Sequence, residues 1–424
     1  MLNGPFLYIR DYHYLQNKYR CWKGRVRKMN EWVQEAGYGA LQGVLNPVLY
    51  AAIIAAVIAG FLRVKRERKD LRAGLLSWSV ELKSLLGYGL LAGVILSVIM
   101  ITVGIEVPLI WIYIISALMA LGILTWQFRA LTPALLMPLA AGILYILSVT
   151  EPPMPSWLPA IEVSTGLIGL TGIVMGLLIF AEGLLIRLNA SKHSSPRFIQ
   201  TPRGLKAGAF FTKRLWLVPL FLLVPTGSLE AMGGWWPAMT VGSTSWSLIA
   251  VPFVIGFQLT VVHDLPEPII RHASQEVMWL SAFVTMLAVA GFWAPYLFIA
   301  AFVIAFGGRI YLALKLRAIC RHSGYYFMNK NHGIIVVAVI PGTPADKMGI
   351  GRGEMVQKVN GVSVNNERDF YGALQKNRAH CKLEVLNHQG EIRYVQRALH
   401  EGQHHQLGII MVEDRMKQYS FDSA

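Results

Sequence analysis

Residues 333–364 read GIIVVAVIPGTPADKMGIGRGEMVQKVNGVSV, and the order of breaks in this stretch decides the fold of the C-terminal part. Ile334 to Ile340 is a β-branched run, which favours a strand. It stops at Pro341-Gly342, where proline fixes φ and glycine frees it for a turn. Thr343 offers an N-cap oxygen, Pro344 stands where a first helical turn tolerates a missing N–H, and Gly349 with Gly351 ends a short helix. Met355 to Val359 reads as a strand, and Asn360-Gly361 is a strong hairpin signal. Outward from there, a second helix is predicted from Asn365 or Asn366, with Phe370 and Leu374 four apart on one face beside Ala373. Cys381, Leu383 and Val385 alternate with Lys382 and Glu384, a turn falls at Gly390, and Ile392 to Leu399 closes as a strand.

This order resembles a PDZ domain of the bacterial type. The residues that carry the resemblance are Gly333 to Ile340, Pro341-Gly342-Thr343-Pro344-Ala345, Gly349-Ile350, Gly353-Glu354, Val359-Asn360-Gly361 and Phe370 with Ala373-Leu374. It implies an α+β fold that takes an extended peptide as an extra strand beside the second helix, with backbone amides holding the terminal carboxylate. By position the carboxylate loop is Gly324-Tyr325-Tyr326-Phe327, where the family has Gly-Leu-Gly-Phe, so the two tyrosines depart from the pattern. The implied peptide site is Gly324, Tyr325, Tyr326 and Phe327 with Phe370, Tyr371 and Leu374. A second reading stays open, in which these loop aromatics anchor the domain against the membrane or its own core.

The rest of the chain has another character. Of 424 residues, 54% are hydrophobic and 15% charged, and the mean hydropathy is +0.46. A soluble protein of this size could not bury so much apolar surface, so the composition is that of a polytopic membrane protein. Apolar runs near residues 44–62, 84–105, 108–128, 131–149, 163–186, 215–230, 245–262, 277–291 and 293–314 predict nine helical spans. The count falls to eight if the last two runs form one kinked element. The expected order is an N-terminal segment (1–43), a helical transmembrane domain (44–314), a PDZ domain (322–413) and a tail (414–424). The net charge of +15 gathers beside apolar segments, the mark of the positive-inside rule rather than of nucleic-acid binding. Cys21, Cys320 and Cys381 have neither metal-ligand nor disulfide spacing.

Basic residues from Arg63 to Lys83 and from Arg187 to Arg214 assign those loops to the cytoplasm, while 150–162 and 229–244 lack Lys and Arg and belong outside. Alternation then places the PDZ domain inside. The extreme N-terminus conflicts, because seven basic residues from Arg10 to Lys28 precede a span that starts outside. A start at Met29 removes them, so residues 1–28 read as an upstream extension; if translated, they form a basic segment on the inner leaflet and the first hydrophobic run is re-entrant. No secretory signal peptide is visible.

His400-Glu401-Gly402-Gln403-His404 matches H-E-x-x-H, in which two histidines one helical turn apart bind zinc and the glutamate activates water. Gly402 in a polar segment after a strand is a poor helix former, and in site-2 proteases the motif lies in a membrane helix ahead of the PDZ domain. A solvated loop leading into a final strand, Leu407 to Val412, is the plainer reading, with no metal and no cofactor. A serine peptidase domain has no room after the last span. Glu182 and Glu106 near span ends, and His263-Asp264 before Pro266 and Pro268, read as structural, and no inverted repeat supports a transporter with a regulatory PDZ domain.

Taken whole, the chain resembles the MinJ family of Gram-positive division-site proteins. The likeness rests on His380 to Val385, Gly390 to Arg393, Gln396 to Gly402 with His404-His405 and Leu407-Gly408, and more loosely on Arg66 to Asp70 and Leu90 to Ser97. The resemblance implies a membrane-anchored adaptor rather than an enzyme. It would link a polar and septal DivIVA-like protein to a MinD-like ATPase, and other division proteins are candidate partners beside the lipid bilayer. It also implies a multi-pass location in the cell membrane, enriched at septum and poles, and homo-oligomerisation is compatible with that role.

Overall fold

The computed structural model describes residues 29–412 except 72, 151–164, 193, 231–235, 238–244, 323–324, 329–331, 378 and 400–406. Its first part is helical: α1 (29–45), α2 (Pro47–Leu71), α3 (Val80–Leu86), α4 (Tyr88–Val103), α5 (Leu109–Leu124), α6 (Pro133–Thr150) and α7 (Thr165–Leu185). Asn46 separates the first two, and its Oδ1 accepts the Val48 N–H at 3.0 Å, capping α2. Later come α8 (Pro266–Ala290) and α9 (Tyr296–His322), with His263-Asp264 in the turn before α8. Among the described residues, six helical stretches are long and apolar enough to cross a membrane, and Leu109–Leu124 is a shorter apolar helix.

Seven of the nine expected spans are helices, and the last two are separate helices rather than one kinked element. The other two are a correction. Residues 215–230 and 245–262 fall in strands, not helices: β1 (Ser195–Gln200), β2 (Lys206–Glu230) and β3 (Ser245–Val261) form one antiparallel sheet in that order. The reason lies in proline and side-chain shape. Pro219 and Pro252 would break helices, yet here they face each other across the hairpin. Val218, Phe221, Val251, Phe253, Val254 and Ile255 around them prefer extended backbone.

A bare hairpin among apolar helices would leave unpaired backbone groups along both edges. Glycines spaced four apart let helices close on the strands and keep the edges covered, and a few direct hydrogen bonds satisfy edge groups. Gly89 and Gly93 of α4 lie on the β2 edge, where a Cβ on Gly93 would stand 2.5 Å from the Pro219 carbonyl oxygen. One turn on, Ser97 Oγ accepts the Phe221 N–H at 2.9 Å and itself donates to Gly93 O at 2.7 Å. Gly39 and Gly43 of α1 lie in the same way against Leu248 and Ala250 of β3. Farther along β3, the Gly256 N–H donates to Leu131 O at 2.6 Å.

The base of the hairpin is locked by buried charge. Arg63 forks onto Glu81 (Nε–Oε1 2.6 Å, NH2–Oε2 3.0 Å) and reaches Glu67 at 2.9 Å. Glu67 also accepts from Ser195 Oγ at 2.7 Å and from the Leu75 N–H at 3.0 Å. The network therefore ties α2, α3 and β1 together in a place where an unpaired charge would be costly.

After α9 come β4 (Ile334–Ile335), β5 (Ala338–Val339), α10 (Pro344–Lys347), β6 (Met355–Val359), β7 (Val362–Ser363), α11 (Glu367–Gln375), β8 (His380–Leu386), β9 (Ile392–Ala398) and β10 (Ile409–Ile410). Asn360 and Gly361 take φ of 49° and 80°, the left-handed pair a tight hairpin requires. Asn366 caps α11 by accepting the Asp369 N–H at 2.8 Å. Thr343 does not act as expected: its hydroxyl turns back to Ile340 O at 2.6 Å and caps no N–H of α10.

Candidate peptide-binding site

The sequence places apolar side chains at Phe370, Ala373 and Leu374, and α11 turns all three into the core of the C-terminal domain. Opposite them, Cys381, Leu383 and Val385 of β8 are fully buried while Lys382 points out. The last strand joins the same core by alternation. Leu407, Ile409 and Met411 turn toward Phe370 and Leu374, and Ile410 and Val412 turn the other way. β10 pairs antiparallel with β5, Ile409 opposite Val339 and Ile410 opposite Ala338. Backbone N–H groups of Ile340 and Ala345 hold the carbonyls of Gly408 (2.9 Å) and Leu407 (3.0 Å). Gly408 sits at φ 89°, and Thr343 occupies the space a Cβ would take.

Tyr371 is half-buried with its ring edge-on to Phe370 at 5.4 Å. Burial, and then the Glu367 carboxylate, push its hydroxyl above the usual tyrosine range. Burial pushes the Cys381 thiol up to about 12.

The residues predicted from sequence divide into two places. Phe370, Tyr371 and Leu374 share the α11 side of this core. Tyr326 and Phe327 belong to a different cluster, where Phe327 is fully buried against Phe210 of β2 with ring centroids 5.0 Å apart. Its carbonyl accepts the Gly208 N–H at 2.8 Å, and Tyr326 donates to Gly353 O at 3.4 Å. Burial, and then the Asp264 carboxylate, push the Tyr326 hydroxyl up. These two aromatics therefore lie in a cluster apart from that of Phe370, Tyr371 and Leu374. Tyr325 is half-buried, and Gly324 lies outside the described residues. Leu407-Gly408-Ile409, read from the sequence only as the start of a final strand, shares the core cluster of α11. Its signal was a glycine framed by apolar residues, nearer to Gly-Leu-Gly-Phe than Gly324-Tyr325-Tyr326-Phe327 is.

The anchor belongs to a seam between the two parts of the chain. Leu71, Phe210, Phe327, Ile335, Val337 and Ile410 pack together there. Arg352 crosses it to Glu267 Oε1 at 2.8 Å, in the first turn of α8 where the helix dipole favours a carboxylate.

The histidines of H-E-x-x-H at 400–404 lie outside the described residues, and among those described no cluster of three His, Cys, Asp or Glu could hold a metal. Glu182 is fully buried and bound to Arg309 at 2.6 Å and Thr132 at 2.5 Å. Glu106 accepts from Trp246 Nε1 at 3.2 Å. Both are held as structural groups.

A protein-family model described as a PDZ domain matches residues 335–387, from β4 through β8. Over 373 residues, 87% of this chain and 93% of the relative, the sequence is 36% identical to the cell division topological determinant MinJ of Bacillus subtilis (strain 168). The chain belongs to the MinJ family. A probable cell division topological determinant MinJ of Lacticaseibacillus paracasei is 25% identical over 362 residues, 82% of this chain and 90% of the relative. A mitochondrial serine protease HTRA2 of Drosophila ananassae is 36% identical over 58 residues, 14% of each chain. That last match is the size of one small domain, whereas the MinJ matches run through the membrane helices too. The MinJ relatives are named for division topology, not for a reaction.

Proposed function

We propose that this protein is a multi-pass membrane adaptor that holds a cytoplasmic PDZ domain at the division site and links a DivIVA-like protein to a MinD-like ATPase. The observation that carries this reading is the MinJ likeness over 87% of the chain, membrane part and PDZ part together. An adaptor needs a fixed base and one bindable edge. The helices supply the base, and confinement of partners to a membrane surface raises their effective concentration at a modest groove. The groove assigned here runs between β10 and α11, with Leu407-Gly408-Ile409 as the turn facing a peptide carboxylate and Tyr371 at its rim.

The side of the PDZ domain follows from charge. The basic end of α2, the basic β1–β2 segment and the PDZ domain meet at one end of the molecule, as the Arg66–Ser195 and Gly208–Phe327 hydrogen bonds attest. A hairpin returns the chain to the side it left just as two helices would, so the alternation that puts this end in the cytoplasm is unchanged.

Time-lapse imaging of a fluorescent fusion to the full chain tests the reading, repeated with Tyr371→Ala and with the chain ended after His322. Accumulation at nascent septa and young poles that both changes abolish is the expected result. A uniform membrane signal from the unaltered fusion overturns it.

A further inference from the structure

Where α2 leaves its apolar stretch, a cavity of about 350 Å³ opens between that helix and the base of the hairpin. Arg63, Arg66, Lys213 and Arg214 line it, against the one lining carboxylate of Glu81. Counting Glu67 behind Arg63 as well, four cations meet two carboxylates, an excess of two positive charges. Arg214 is only 2% exposed and stands 3.6 Å from Glu81. Arg66 lays its guanidinium over the Phe211 ring at 4.9 Å, and its Nε is buried with no hydrogen-bond acceptor among the described residues. Lys213 rests on the Trp126 and Phe128 rings at 4.0 and 3.9 Å, contacts that hold the ammonium without neutralising it. Arg63 and Arg214 are buried beside Glu81 and Glu67, so the excess rests on the half-buried Arg66 and Lys213, where partial loss of water is costly until an anion joins them.

We propose that this cavity is a binding site for a phosphate-bearing anion, with the headgroup of an anionic phospholipid as the occupant. Guanidinium forks match phosphate oxygens, and the volume lies at the small end of ligand pockets. The apolar walls select the lipid over a soluble phosphate. Ala59 and Leu62 line the same cavity, and Leu62, 52% exposed, stands on the outward face of the candidate span Pro47–Leu71. An acyl chain leaving the headgroup would therefore run along the apolar face of α2. The site lies beside the ion network that joins α2, α3 and β1, so an occupant would brace the base of the hairpin.

The test uses the full chain in vesicles of phosphatidylcholine alone or with equal parts of phosphatidylglycerol, and reads lipid binding by native mass spectrometry and the thermal midpoint. Phosphatidylglycerol is expected to bind and raise the midpoint. Arg66→Gln and Lys213→Gln are each expected to weaken binding about fivefold, while Arg66→Lys retains most of it. Lys65→Gln, an exposed change on the same helix, should alter binding less than about twofold. Inorganic phosphate added to phosphatidylcholine vesicles separates the sources: protection by phosphate alone, lost in the same two variants, keeps the anion site and assigns it to a soluble phosphate. The proposal is overturned if neither anion binds, if both Gln variants bind like the unaltered chain, or if Lys65→Gln weakens binding as much as they do.

Discussion

In β8 of the PDZ domain every second side chain is buried, Cys381, Leu383 and Val385 inward and Lys382 outward, whereas in β2 the five consecutive residues Arg214 to Val218 are all buried. One sheet meets water on a face; the other meets protein on both. The alternating sheet needs only a hydrophobic core. The enclosed one must also satisfy its edges, so it borrows glycine stripes from α4 and α1 and a buried ion network at its base. The two regions should therefore fail by different substitutions.

The largest effect is expected at the network. Arg63→Met removes the guanidinium that Glu81 and Glu67 share and leaves two buried carboxylates without it, a loss of about 3–5 kcal/mol. The thermal midpoint of the purified full chain in detergent measures it. The contrast between the regions breaks down if Cys381, deep in the other sheet, becomes open to alkylation in the same variant at temperatures well below that midpoint.

Leu374→Ala is the counterpart in the PDZ core, where deleting a fully buried leucine costs about 2–5 kcal/mol. Cys381 reports the outcome directly. With its thiol pushed up to about 12 by burial, it stays protonated and unreactive in the folded domain between pH 6 and pH 9, values about three or more below that figure. Unfolding returns the thiol toward its ordinary range near 8.5, so its raised folded value marks stability that is fully present below the unfolded value and lost progressively as pH rises from there through the folded value of about 12. Leu374→Ala should therefore react with maleimide faster than the unaltered chain, and more so toward pH 9, while the membrane helices keep their circular-dichroism signal.

Gly93→Leu sharpens the comparison from the other side. A side chain there must displace Pro219, whose Cδ and carbonyl oxygen lie 2.5 Å from the Cβ position. Overpacking of this kind costs about 1–3 kcal/mol. Gly142, on the apolar helix α6, has open space at its Cβ position, so Gly142→Leu should leave the midpoint nearly unchanged. Equal midpoints for the two variants would show that the stripe is not what covers the strand.

What was legible in the sequence follows the same division. The PDZ elements could be read because half-buried strands alternate and Asn360-Gly361 names its own turn. The helical spans could be read because twenty or so apolar residues need a membrane. β2 and β3 could not, because burial on both faces removes alternation and leaves an apolar run of helical length. Pro219, Pro225 and Pro252 were the remaining signal, and proline alone is also found in membrane helices. At the site, Phe370 and Leu374 were visible from helical spacing. The placement of Tyr326 and Phe327 was not, because their partners Gly208 and Phe210 stand far upstream on a strand read as the approach to a helix.

The smallest effect is expected where the two regions meet. Arg352 and Glu267 form an ion pair that is about one-third exposed on each side, and such pairs contribute about 0.2–1 kcal/mol. Arg352→Ala should therefore leave both melting behaviours nearly unchanged and alter only the docking, which salt would screen in the same direction. Phe327→Ala, which empties the aromatic contact with Phe210, should loosen the seam further without touching α11. Crosslinking between cysteines introduced at Arg203 of the β1–β2 turn and an exposed PDZ position such as Arg368 measures the change in docking. If Phe327→Ala instead abolishes peptide capture as fully as Tyr371→Ala does, the anchor and the groove act as one device, and the division between the two regions is functional only in part.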